Sequence, residues 1–124
     1  MLFVRLIYEN GYYDYEDSND IKMDILGFFL KSDVGCRRSS FKEWGLDDSD
    51  IRTNSNITYL EKENGYIYLS DLYSEEKVPT RLKMSIKQFV QILDDWDTKV
   101  CKVRPQEVII KYENGEYSIE TKNG

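Results

Sequence analysis

The tripeptide Glu-Asn-Gly occurs three times in the chain, at residues 9–11, 63–65 and 113–115, each time with tyrosine close by. An Asn-Gly pair between apolar or alternating runs is the strongest short-range signal for a tight β-hairpin. The type I′ turn requires positive φ at both central residues, and asparagine and glycine adopt that conformation at the lowest cost. Three such turns in 124 residues therefore predict an antiparallel β protein.

Apolar and alternating runs on both sides of these turns supply the predicted strands. The three hairpins pair residues 1–8 with 12–16, 57–61 with 66–72, and 107–112 with 116–121, and Arg81–Met84 adds a short strand. Between the first two hairpins, Ile21, Met23 and Ile25 alternate with charged residues, which predicts a half-buried strand that continues to about residue 31. A helix over residues 21–31 is the alternative, because Ile21, Ile25 and Phe28 also fit a period of 3.6 residues.

The clearest helical pattern covers residues 86–98. Ser85 and Gln88 have the spacing of a capping box, and an apolar stripe runs through Phe89, Leu93 and Trp96. A shorter helix is predicted near residues 40–45, where Ser40 and Glu43 repeat the capping spacing. We therefore predict a single α+β domain over residues 1–124, with one antiparallel sheet of about five to seven strands and the main helix packed on one face.

The net charge of −6 is concentrated in the first half of the chain. Residues 1–50 carry eleven acidic against six basic residues, whereas residues 51–124 carry twelve against eleven. An acidic surface repels nucleic acid and membranes and attracts basic partners. The longest uninterrupted apolar run, residues 25–30, is too short to cross a bilayer, and no secretion signal is visible. We therefore expect a cytoplasmic protein that binds neither membrane nor nucleic acid directly.

The chain contains no histidine, and its two cysteines, Cys36 and Cys101, are far apart in sequence. Serine-histidine and cysteine-histidine catalysis are therefore excluded, and the glycine-rich phosphate-binding motifs are absent as well. Two isolated cysteines favour buried free thiols in a reducing compartment. These features predict a binding protein without a cofactor rather than an enzyme.

Two dense acidic clusters, at residues 47–50 and 94–97, could in principle serve a two-carboxylate hydrolase or a hard cation. Neither cluster follows the spacing of a calcium-binding loop or has the glycine which that loop needs at its bend. Acidic residues three positions apart on the outer face of a helix are typical of a solvated surface. No metal site is therefore predicted.

Residues 8–20 combine tyrosines with acidic residues, and no lysine or arginine occurs between Arg5 and Lys22. Tyrosine is enriched at protein interfaces, and carboxylates beside it suit a basic partner. Ordinary cross-strand tyrosine pairs flanked by solubilising charge are the alternative interpretation. The candidate partner-binding residues, including three from the first acidic cluster, are Tyr12, Tyr13, Asp14, Tyr15, Glu16, Asp17, Asp47, Asp48 and Asp50.

Two segments, MSIKQFVQILDDW at residues 84–96 and PQEVIIKYENG at residues 105–115, together resemble small immunity proteins of bacterial contact-dependent inhibition and polymorphic toxin systems. The resemblance is one of general pattern and covers about a fifth of the chain. It implies a cytoplasmic protein that binds one cognate toxin domain, often a nuclease, and neutralises it. It assigns no binding residue.

These observations lead to one functional expectation and two alternatives. The expected function is that of an immunity protein whose acidic, tyrosine-bearing surface occludes a basic toxin. A phage-type inhibitor that imitates nucleic acid would use the same surface against another nuclease. An adaptor or subunit would instead pair through an open sheet edge at residues 12–16 or 81–84.

Overall fold

The computed structural model describes residues 1–37, 40–47 and 51–123. These residues form three α-helices and eight strands, and the predicted α+β class with antiparallel pairing is confirmed. The strands are β1 (Leu2–Glu9), β2 (Tyr12–Ser18), β3 (Arg52–Asn54), β4 (Thr58–Glu63), β5 (Tyr66–Asp71), β6 (Arg81–Ser85), β7 (Glu107–Glu113) and β8 (Glu116–Lys122).

The eight strands form two sheets of four, whereas the sequence predicted one sheet with fewer strands. Sheet A has the order β2-β1-β7-β8 and sheet B the order β3-β4-β5-β6, and all the pairs are antiparallel. The contact between β1 and β7 joins the two ends of the chain in sheet A. Hairpin signals report only neighbouring strands, so they could reveal neither this long-range pair nor the division into two sheets.

The three Asn-Gly turns are confirmed as the centres of hairpins β1–β2, β4–β5 and β7–β8. The asparagine has a φ of 53° to 55° in each turn, and the following glycine has a φ of 79° to 91°. Both central residues thus have the positive φ that the type I′ turn requires.

The predicted strand at residues 21–31 is wrong, and the helical alternative is correct. Helix α1 spans Ile21–Phe28 and continues into a π-helical segment, π1, at Phe29–Val34. The carboxylate of Asp20 accepts a hydrogen bond from the backbone N–H of Lys22 at 2.8 Å and so caps the first turn. The buried residues follow helical rather than alternating spacing: Met23, Leu26, Phe29 and Leu30.

The two other predicted helices are present. Helix α2 spans Phe41–Leu46, although Ser40 makes no capping side-chain hydrogen bond there. Helix α3 spans Ile86–Asp95 and continues as a π-helical segment, π2, at Trp96–Cys101, so helical structure extends three residues beyond the predicted end. Its capping box is complete, because Ser85 and Gln88 exchange backbone-to-side-chain hydrogen bonds. Within the described residues no helix is long and apolar enough to cross a bilayer.

The core lies where α1 and α3 contact both sheets. Gly27 of α1 packs so closely on β1 that an added Cβ would lie 2.9 Å from a methyl group of Val4. Trp96 is fully buried among the helices and sheet A. The hydroxyl of Tyr117 in β8 donates to the carbonyl of Lys83 in β6, which ties the two sheets together.

The prediction of free thiols is wrong, because Cys36 and Cys101 form a disulfide. Cys36 lies two residues beyond the end of π1, and Cys101 is the last residue of π2, so the two helical segments end side by side. Their Cα atoms are 5.2 Å apart, within the usual range for a disulfide. Sequence spacing carries no information on this approach, since 65 positions separate the two residues.

Candidate partner-binding surface

Strand β2 is an edge strand of sheet A and carries most of the predicted partner-binding residues. Within the described residues only β1 pairs with it, so one side of its backbone faces away from the sheet. Tyr12 is 69 % exposed, and the side chains of Asp14, Glu16 and Asp17 are exposed as well. The structure therefore brings these three acids and one phenol ring together on a single strand.

A β-bulge changes the direction of the side chains in the middle of this strand. Tyr15 lies opposite Leu6 and Asp17 lies opposite Arg5, so Glu16 is the extra residue without a partner on β1. Bulges bend an edge strand and redirect its side chains, and they often mark functional positions. Because of this bulge, strict alternation fails at the point where the acidic residues are densest.

Tyr15 connects β2 to helix α1. Its ring stacks on the ring of Phe28 with 5.5 Å between centroids and an interplanar angle of 16°. Both rings remain partly exposed. The aromatic surface therefore continues from the edge strand onto the last turn of α1. We define Tyr12, Asp14, Tyr15, Glu16 and Asp17 as the acidic-aromatic edge.

Tyr13 does not belong to this surface. It is only 6 % exposed, and its hydroxyl donates to the carbonyl of Pro105 at 2.6 Å. Its ring contacts the rings of Tyr8 and Trp96, with centroid distances of 5.0 and 6.0 Å. Burial raises the pKa of the Tyr13 phenol above its ordinary value. The prediction that Tyr13 contacts a partner therefore gives way to a role in the core.

A cation on the neighbouring strand β1 contacts the acidic-aromatic edge. Arg5 on β1 forms ion pairs with Asp17 at 3.4 Å and with Glu107 at 3.0 Å. This ion pair offsets part of the negative charge at Asp17. Asp14 and Glu16 form no ion pair with any residue that the structure describes, so a basic partner would meet the least neutralised charge of this edge at these two side chains.

The acidic cluster at residues 47–50 is separate from this edge as far as the structure describes it. Asp47 follows the end of α2, where its backbone carbonyl accepts a hydrogen bond from Lys62 of β4 in sheet B. The acidic-aromatic edge belongs to sheet A. Asp48 and Asp50 lie outside the described residues. Among the residues that are described, no three potential metal-ligating side chains converge on one point.

Sequence reasoning missed a groove between α1 and sheet B. The groove has a volume of about 500 Å³, and the outer face of α1 forms one wall with Ile21, Ile25 and Phe28. The opposite wall comes from the ends of β4 and β5 and from the loop that leads to β6, including Tyr73. The sequence prediction of a strand at residues 21–31 concealed this site. A predicted helix would have shown apolar residues on two sides, and the second side would have indicated a second contact surface.

Comparison of the chain with protein-family models, with curated proteins and with solved structures gave no match. The acidic-aromatic edge and the neighbouring groove are therefore the features from which a function can be inferred.

Proposed function

We propose that the chain is a toxin-neutralising immunity protein, which binds a cognate basic toxin domain and covers its active surface. The observation that carries the proposal is the exposure of three carboxylates and two tyrosine rings on one edge strand. In this proposal the toxin is a nuclease, because a nuclease presents a cationic groove for its phosphate substrate. The protein acts in the cytoplasm of the cell that it protects.

The acidic-aromatic edge has the chemistry that such inhibition requires. Carboxylates form charge-assisted hydrogen bonds with lysine and arginine and can take the places of substrate phosphates. Tyr12 and Tyr15 add contact area with few rotatable bonds, which is typical of interface anchors. The net charge of −6 accelerates encounter with a basic partner.

The segments that resemble immunity proteins lie mainly in the scaffold. Residues 84–96 cover the end of β6, α3 and its continuation into Trp96, and residues 105–115 cover β7 and the following turn. Phe89, Leu93 and Ile110 in these segments are buried. The resemblance thus concerns core-forming segments, whereas the proposed binding residues lie on β2. This separation is expected if related inhibitors share a scaffold but bind different partners.

The alternative of an adaptor that pairs by strand addition is favoured by one observation. Both predicted open edges, β2 and β6, are edge strands. However, the bulge at Glu16 and the surrounding charges are features that oppose edge-to-edge pairing. The hydroxyl of Tyr117 also reaches the backbone of β6. We therefore place side-chain contacts from the acidic-aromatic edge ahead of backbone pairing.

The proposal predicts that a toxin domain is encoded beside the gene for this chain, and the test uses that domain with bacterial growth and nuclease activity as readouts. The triple variant D14K/E16K/D17K should fold normally, associate at least about tenfold more slowly and fail to protect cells, because each repulsive contact opposes encounter. A matched control, E113K/E116K/E120K, makes the same charge change on the β7–β8 hairpin. Each variant replaces one acid that forms an ion pair: Asp17 pairs with Arg5 in the β2 variant, and Glu120 pairs with Lys111 in the control.

The control separates local recognition from total charge. Protection by the control variant together with loss in the β2 variant supports the proposal. Equal behaviour of the two variants would remove the acidic-aromatic edge from the mechanism. Inhibition of a phage-encoded or host nuclease, with no effect on the neighbouring toxin, would instead support the phage-type inhibitor.

A further inference from the structure

The groove beside α1 exposes apolar side chains that a folded protein would ordinarily cover. Ile21 is 61 % exposed, Phe28 37 % and Tyr73 70 %. The other side of α1 already packs on the core through Met23 and Leu26. A helix that is apolar on two sides needs a second contact to cover its outer face.

The electrostatic character of the groove specifies what would cover that face. Asp24, Asp71 and Glu76 line the groove, and none of the described lining residues is a lysine or an arginine. One carboxylate oxygen of Asp24 is buried and accepts no hydrogen bond from the described residues. That oxygen has no surface that is accessible from the groove, so a cation that enters the groove would meet the other carboxylate oxygen of Asp24. Asp71 is already engaged, since it accepts a hydrogen bond from the backbone of Tyr73 at 2.9 Å.

A long cationic side chain fits both parts of this site. Arginine and lysine bury their aliphatic stems on apolar surfaces while their charged ends seek an acceptor. Phe28 contributes apolar surface for such a stem, while its ring already stacks on Tyr15 and lies 5.5 Å from the ammonium group of Lys31. Lys31 is outside the lining and makes no ion pair with Asp24 among the described residues.

We infer that the groove between α1 and strands β4 and β5 binds an arginine or lysine side chain of the protein partner. The stem lies against Ile25 and Phe28, and the charged end donates to Asp24. This inference rests on the proposed function, because it supposes a basic protein partner, and it adds a second contact to the acidic-aromatic edge. Tyr15 of the acidic-aromatic edge stacks on Phe28 of the groove, so the two contacts meet at this ring pair.

The direct test uses short synthetic peptides and does not require the toxin. Backbone amide chemical shifts are followed while acetyl-Leu-Arg-Leu-amide is added, and acetyl-Leu-citrulline-Leu-amide is the matched control. Citrulline keeps the shape of arginine but has no charge. The arginine peptide should perturb amides of α1 and of the ends of β4 and β5, and it should bind about tenfold more tightly than the citrulline peptide, as expected for a charged hydrogen bond.

Two variants examine the two halves of the groove. D24N keeps the shape of the side chain and should remove most of the preference for arginine over citrulline. F28A should weaken both peptides, and because Phe28 is partly exposed the fold should survive the change. Equal binding of the two peptides, an unchanged preference in D24N, or chemical-shift changes confined to another surface would each overturn the inference.

The toxin assay then separates failure of the groove from failure of the proposed function. If the wild-type chain neutralises the neighbouring toxin and D24N/F28A binds that toxin with unchanged affinity, the groove inference is wrong and the function stands. If the arginine peptide binds at Asp24 as described but the chain neutralises no toxin, the groove stands and the proposed function is wrong.

Discussion

Trp96 connects three parts of the molecule through one side chain. It is 1 % exposed, its indole N–H donates to the carbonyl of Gly35 at 2.9 Å, and its ring meets Tyr13 edge to face. We expect W96A to lower the free energy of unfolding by about 3–5 kcal/mol, because truncation leaves a large cavity. W96F should cost less, about 1–2 kcal/mol, since it keeps a ring but loses the hydrogen bond. Urea unfolding measures both, and an unchanged midpoint in W96A would contradict this packing.

The buried phenols of Tyr13 and Tyr117 make the stability of the fold sensitive to alkaline pH. Each hydroxyl donates to a backbone carbonyl, that of Pro105 or Lys83, and burial raises each pKa above the ordinary value of 10.0. A raised folded-state pKa favours the neutral phenol in the folded protein. The associated stabilisation is therefore fully present below pH 10 and is lost as the pH rises further.

We accordingly expect the unfolding midpoint to fall more steeply above pH 10 in the wild-type chain than in the double variant Y13F/Y117F. The variant should start from a lower stability at neutral pH, because it lacks the two hydrogen bonds, but it has no buried phenol to ionise. Thermal unfolding at a series of pH values from 8 to 11 measures the difference. Parallel curves for the two proteins would show that these phenols do not titrate with unfolding.

At the scale of single elements, the sequence was most informative where turn chemistry and capping were local. The Asn-Gly turns and the Ser85–Gln88 capping box were predicted correctly, because each depends on residues within a few positions of one another. Helix α1 was misread because Ile21 and Phe28 are apolar yet face outward, which gives the segment an ambiguous period. These two outward-facing residues also line the groove, so the failure of the pattern coincided with a candidate binding site.

The acidic-aromatic edge shows the same limit. The clustering of tyrosines and acids on β2 was visible in the sequence. Without Tyr13, five of these residues remain in the acidic-aromatic edge, and four of the five follow Tyr13 along the strand. Two features could not be predicted from one strand. The first is the contact between Tyr13 and Pro105, which is 92 residues away. The second is the bulge at Glu16, which places Tyr15 and Asp17 opposite adjacent residues of β1.

The packing of α1 on β1 gives a prediction at this scale. In G27A, the new Cβ would lie 2.9 Å and 3.1 Å from the two methyl groups of Val4. Alanine improves helix propensity by about 1 kcal/mol, but overpacking typically costs about 1–3 kcal/mol, so we expect a net destabilisation of about 1 kcal/mol. The crowding disappears in a V4A background, where the same G27A change should become stabilising. Equal effects of G27A in both backgrounds, measured by urea unfolding, would contradict the close contact.

At the scale of the whole molecule, the disulfide is a long-range contact that the sequence could not predict. It closes a loop between residues 65 positions apart and holds the ends of π1 and π2 together. In the chain-entropy description, a link over a loop of this length contributes about 4 kcal/mol. The fold also has an extensive apolar core that draws on both sheets and both long helices. The link therefore strengthens a structure that the core already specifies.

We expect C36S/C101S to remain folded at 37 °C but to unfold at least about 10 °C below the oxidised wild-type chain, consistent with a loss of about 4 kcal/mol. The wild-type chain in dithiothreitol should behave like the variant, whereas dithiothreitol should leave the variant unchanged. Near-ultraviolet circular dichroism reports on the packing of Trp96 and the buried tyrosines during heating. The result bears on the proposed location, because the cytoplasm keeps thiols reduced. An immunity protein acting there must bind its toxin with the link open, so collapse of the reduced chain at 37 °C would refute cytoplasmic action.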